Sequence, residues 1–205
     1  MANNTHPDVT QQSPQLGRLQ RGPTVNGYRV ESFTDILKRH GTTMGFLAVI
    51  CLMAPGSFSI IAATITKLIL QPVPYFLTLL GLLVFFSAWT ARRPGSIKRK
   101  TQWIFYLLYI SIVEELTFRV IFPSLLTPHY SWLTANIVSN VLFAGIHYIT
   151  LRWKLRNCIV TFVGGMGLSQ LMTHGDLALV VLIHWLGTFL NTPFPPTEKN
   201  NYSHG

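Results

Sequence analysis

The sequence predicts an all-α fold, a polytopic bundle of about six membrane-spanning helices, and three observations carry that prediction. Hydrophobic residues make up 49% of the 205 and charged residues only 11%, too apolar and too charge-poor for an ordinary soluble domain of this size. The apolar residues gather into runs of roughly 16 to 25, enough at about 1.5 Å per residue to cross a hydrocarbon core about 30 Å thick. The basic residues fall between those runs, on alternate sides.

Residues 1–28 are rich in Asn, Gln, Pro and Thr and predict a disordered tail; they lack the apolar core of a signal peptide. Over residues 29–43, Val30, Phe33 and Leu37 recur at helical spacing beside Lys38 and Arg39, the pattern of a short helix lying at a membrane interface. The transmembrane domain is expected over 44–192, with spans at 44–66, 72–91, 102–126, 132–151, 157–172 and 177–191. The first contains "APGS" at Ala54 to Ser57, where a proline and a glycine predict a kink. Residues 193–205 are polar and predict a second tail.

A formal charge of +9 would suit nucleic acid, but its distribution follows topology instead, and no nucleic-acid partner is expected. Five of the sixteen Lys and Arg precede the first span, five lie in "RRPGSIKRK" and three in "RWKLR", while the opposite loops hold only Lys67. By the positive-inside rule both termini and the two basic loops face the cytoplasm. The membrane expected is a prokaryotic plasma membrane, with a thylakoid or other internal membrane as the rival. Cys51 and Cys158 both fall inside spans and read as packing residues rather than a disulfide or a metal pair.

Charges at membrane depth are costly unless paired or hydrated, so the short intramembrane set is informative: Glu114, Glu115, Arg119, His147 and His184. Glu115 and Arg119 are four apart on one helix and form a brace, with the carboxylate on the favourable N-terminal side. Glu114 is turned about 100° from its neighbour and has no charged residue one turn away in either direction. It needs a group from another helix, and His147 in "FAGIH" and His184 in "IHWLGTFLN" are the groups that exchange protons readily. Counted from the nearest basic boundary, Glu114 lies about 18 Å deep, His184 about 11 Å and His147 about 7 Å. That spread closes only if the third helix begins as an interfacial segment before Trp103. Phe143 reads as packing, Asn136 and Asn140 as interhelical hydrogen-bonding groups, and His6, His40, His129, His174 and His204 as tail or loop residues without a role.

"EELTFR" and "FAGIH" resemble the E-E-x-x-x-R and F-x-x-x-H motifs of the CPBP family, which includes type II CAAX prenyl endopeptidases and bacteriocin-immunity proteins. The resemblance covers about 103–191. It implies an intramembrane endopeptidase in which Glu114 and His147 activate a water near the cytoplasmic side and His184 holds the oxyanion, with Glu115 and Arg119 as supporting residues and no cofactor. The partners it implies are the bilayer and a peptide or protein substrate. The family's last motif reads H-x-x-x-N, whereas this chain has Thr188 in the Asn position; Asn191, on nearly the same face, is the candidate substitute. One carboxylate and two imidazoles would also suit zinc, held by Glu114, His147 and His184, although H-E-x-x-H is absent. The alternatives are a non-enzymatic immunity or membrane assembly factor that uses the same cavity for binding, and a proton-coupled transporter.

Overall fold

The computed structural model describes Arg21, Val30 and residues 32–196. Apart from Arg21 and 193–196, the two expected tails lie outside the described residues. The described chain is helical throughout and contains no β-sheet.

The first helix, α1 (Phe33–Leu52), opens with a capping box in which the Ser32 hydroxyl accepts from the Asp35 N–H and the Asp35 carboxylate accepts from the Ser32 N–H. It is continuous through a π-helical turn at Leu37–Gly41, so the expected boundary between a surface helix and a first span, at 43/44, falls inside one element. The face carrying Phe33 is not left at an interface: the ring packs edge-on against Trp103 and Tyr106, at 5.8 and 5.3 Å between centroids. Farther along, the Tyr109 hydroxyl donates to the Gly41 carbonyl at 3.1 Å. A Cβ at Gly45 would overlap that hydroxyl, so the two glycines, one turn apart, allow the close approach.

The kink at "APGS" is a bend of 105° between Phe33–Leu52 and α2 (Ser57–Thr64). Pro55 supplies no N–H to the preceding turn, and Gly56 takes φ +81°, a left-handed conformation that favours glycine. The Ser57 hydroxyl lies 2.7 Å from the Cys51 carbonyl and 2.8 Å from that of Ala54, adding a side-chain bond to carbonyls that already accept from the Ala54 and Ser57 N–H groups across the break. After a single turn, α3 (Thr66–Leu70), Pro72 starts α4 (Pro72–Arg92) at a position where its missing N–H costs nothing. At the other end of α4, the Lys100 ammonium donates to the carbonyls of Thr90 and Arg93, both at 2.6 Å.

The central helix, α5, spans residues 97–126 as Ile97–Glu115, a π-helical segment Leu116–Ile121 and a last turn Phe122–Leu126. Pro123 cannot donate to the Arg119 carbonyl four residues back, so the regular ladder is interrupted within the π-helical segment. Then come α6 (Trp132–Thr150), capped by Ser131, α7 (Leu155–His174) and α8 (Leu177–Asn191). The Asp176 carboxylate accepts from the N–H groups of both Leu179 and Leu68, capping α8 and tying α3 to it. Asp176→Ala is therefore expected to cost about 1–2 kcal/mol, read as a lower unfolding temperature in detergent.

Two described helices, α4 and α6, are long and apolar enough to cross a bilayer alone, and the α1–α2 pair, bent by 105°, passes the same test only if its two helices count as one span. The others fall short for visible reasons: α5 starts in "IKRK" and carries the buried charges, α7 is interrupted by Gly, Ser and Gln, and α8 has 15 residues, roughly 22 Å of helix. Of α4 only Leu82, Phe86 and Thr90 are buried, so most of its apolar surface faces outward, as lipid requires. The core is a cluster of Trp103, Tyr106, Leu107, Phe86, Trp185 and Phe189 with their neighbours, between α1, α4, α5 and α8. Arg39 of α1 donates to the Ile149 and Thr150 carbonyls at the end of α6, beside Arg152, so these basic groups share one end of the bundle, and Arg99 of α5 donates to the Pro196 carbonyl.

Candidate functional site

Glu114 is 2% exposed and faces three imidazoles. From α6, His147 places Nε2 3.5 Å from Glu114 Oε1; from α8, His184 places Nε2 3.6 Å from Oε2. The nearest group is one that sequence reasoning set aside: His40, in the π turn of α1, has Nε2 2.9 Å from Glu114 Oε1 and is 3% exposed. The rings of His40 and His147 lie 4.8 Å apart. A signal for His40 was present. It is seven residues after Phe33 and three after Leu37, at helical spacing in the amphipathic stretch, and while Leu37 stays exposed, Val30 and His40 are buried.

The ring nitrogens can be assigned from their partners. His147 Nδ1 lies 2.9 Å from the Phe143 carbonyl, which only accepts, so Nδ1 carries the proton. His184 Nδ1 lies 2.5 Å from Glu115 Oε1, and Arg119 stands 3.4 Å from the other oxygen of that carboxylate. With the guanidinium on one side, Glu115 accepts and His184 donates. His40 Nδ1 lies 2.8 Å from the Thr150 hydroxyl, which itself donates to the Ile146 carbonyl at 2.7 Å, so here too Nδ1 donates. Every imidazole is thus held by its Nδ1 and turns its Nε2 toward one carboxylate.

The brace expected between Glu115 and Arg119 is present, and it reaches farther than one helix. Glu115 orients His184, and the Arg119 guanidinium lies over the Phe143 ring, 4.0 Å from its centre. Phe143 also meets His147 and His184 edge-on, at 4.6 and 6.2 Å, so one packing residue separates and aligns the charged groups. Asn140 donates to the Asn136 carbonyl and, across to α7, to the Ser169 hydroxyl at 3.0 Å. Gly165 lets this layer close: a Cβ there would sit 2.8 Å from Arg119 Nη2 and overlap Asn140 Oδ1. Gly165→Ala should therefore cost about 1–3 kcal/mol, whereas a Cβ at Gly164 or Gly167 meets nothing within 4 Å and either alanine should be close to neutral. Unfolding of the three variants in detergent checks this contrast.

Thr188, half-buried one turn after His184, offers its carbonyl to Thr192. Asn191 is exposed at the end of α8, roughly 10 Å along the axis from His184. The mismatch in depth is resolved by offset helices. Antiparallel to α5, α6 ends three residues after His147, while α5 extends seventeen residues before Glu114. The end of α6 is recessed, and the π turn of α1 occupies the space above it.

Among the described residues, His40, Glu114 and His147 offer ligand atoms all within 4.8 Å of one another, a set that differs from the one expected by taking His40 in place of His184.

No curated protein and no solved structure gives a significant match to this chain. Residues 97–190 match the family model described as type II CAAX prenyl endopeptidase Rce1-like, a protease family. The match begins with α5, ends one residue short of the end of α8, and contains Glu114, Glu115, Arg119, His147 and His184 but not His40. The match supports CPBP family membership for this membrane protein, and the matched segment carries the carboxylate and two of its three imidazoles.

Proposed function

We propose that the protein is an intramembrane endopeptidase in which Glu114 takes a proton from a water as that water attacks a peptide carbonyl. The observation that carries this reading is the convergence of His147 and His184 on Glu114 with their Nε2 atoms, each ring fixed from behind. Glu114 receives the water proton and returns it to the departing amine, so a peptide plus water gives a carboxylate and an amine with no outside reagent. His147, at one edge of the carboxylate, shares the water. His184 carries charge toward the carbonyl oxygen as it becomes an oxyanion. Thr188 has a hydroxyl where the family has an amide, a single rotatable donor in place of a forked one. The site lies toward the basic end of the bundle, which supports cleavage on the cytoplasmic side.

The family description makes a prenylated C-terminal CAAX sequence the first substrate to try. The full chain, purified and reconstituted in phospholipid vesicles, should cleave a fluorogenic farnesylated CAAX peptide near its C-terminus, and mass spectrometry of the products locates the bond. Wild-type protein that cleaves neither this peptide nor its unprenylated twin would overturn the reading.

A zinc-dependent form of the same hydrolysis is the second reading. It is favoured by the three Nε2 atoms around one carboxylate, each imidazole donating through Nδ1 to a fixed acceptor, as ligating histidines do. His40, Glu114 and His147 would hold the ion, which would supply Lewis-acid activation of the water. Elemental analysis of active protein, together with activity after chelation, separates the two forms.

A further inference from the structure

We infer that His40 is the positioning residue that holds Glu114 for reaction, so that the working site is completed by α1, outside the segment that matches the family. The inference rests on the peptidase reading for its kinetic consequence, though not for its geometry.

Three independent observations point to it. Of the groups around Glu114, His40 makes the shortest contact, 2.9 Å against 3.5 and 3.6 Å. Its other nitrogen is committed, because the only proton of the Thr150 hydroxyl goes to Ile146, so that hydroxyl can only accept from His40 Nδ1. The Nε2 to Oε1 contact therefore holds one proton and ties a single carboxylate oxygen, leaving Oε2 turned toward His184. Finally, the element that carries His40 is docked by contacts of its own. Tyr109 donates to Gly41, Gly45 makes room for Tyr109, and Arg39 clamps the last carbonyls of α6. A histidine kept only for packing would need neither its second nitrogen on the Glu114 carboxylate nor an anchor for its first.

A carboxylate free to rotate loses alignment with the water, and a misplacement of about 1 Å is worth about a hundredfold in rate. With the full chain in vesicles and the farnesylated peptide as probe, His40→Ala should lower kcat about a hundredfold and change KM by less than about threefold. The amide nitrogen of His40→Gln reaches the Nε2 position, so this variant should recover to within about tenfold of wild type, and Thr150→Val should fall between the two. Added imidazole should partly restore His40→Ala, while detergent unfolding shows that the variant is folded. Full activity in His40→Ala, or His40→Gln as poor as alanine, overturns the inference.

A second arm needs no activity. In protein labelled with nitrogen-15 at histidine, Glu114→Gln should shift the His40 Nε2 resonance and leave its Nδ1 resonance in place. An unmoved Nε2 overturns the inference, whereas wild-type protein that fails to cleave the peptide counts against the peptidase reading alone and leaves this arm to decide.

Discussion

Glu114→Gln is expected to reduce kcat for the farnesylated peptide by about a thousandfold, within the 10²–10⁴ range of general acid–base catalysis. Glutamine has almost the same shape and can keep a hydrogen bond to His40, so the bundle should still assemble and still bind substrate. An amide cannot accept the proton of the attacking water, so the loss should appear in kcat with KM nearly unchanged. Full turnover in this variant would remove Glu114 from the chemistry, and a cellular phenotype that survives it would favour the binding role of an immunity or assembly factor. The prediction is stringent because three imidazoles remain in place around position 114. Any one of them could sustain some activity if the carboxylate were only a structural neighbour.

Arg119→Ala should be the most destabilising single change, at about 3–5 kcal/mol, the range for removing one member of a buried ion pair. The side chains of Arg119 and Glu115 are both 0% exposed. Deleting the guanidinium leaves the Glu115 carboxylate facing His184 alone and uncovers the face of Phe143. Arg119→Lys should recover only part of the loss, because an ammonium is a point charge and cannot spread over the ring as the planar guanidinium does. The double variant Glu115→Gln/Arg119→Met should be more stable than Arg119→Ala, since it removes both charges at once. Thermal unfolding followed by tryptophan fluorescence in detergent ranks all three.

Much of this was legible in the sequence because membrane depth makes charge conspicuous. Glu114, His147 and His184 stand out from apolar runs, and the two imidazoles lie 3.5 and 3.6 Å from the Glu114 carboxylate in the fold. The pairing of Glu115 with Arg119 followed from a spacing of four. His40 escaped notice for the complementary reason: it precedes the first apolar run, among Lys38 and Arg39, where a polar residue costs nothing and draws no attention. Nor could the offset between α5 and α6 be counted from span boundaries, because hydropathy does not say where one helix stops relative to another. The sharp bend after Leu52 was half visible, since Pro55 and Gly56 mark a break but local sequence does not give its angle of 105°.

The two π turns have a consequence for how this chain tolerates change in length. Each closes hydrogen bonds over five residues rather than four, so Leu37–Gly41 and Leu116–Ile121 each take up more chain per turn than an α-helix would. They behave as shims set into otherwise regular rods: one brings His40 round to the carboxylate, and the other lies between Glu115 and Pro123. Deleting Gly41 would give a more regular helix and turn His40 about 100° relative to the rest of α1, away from Glu114. The chain would gain regularity and lose its aim.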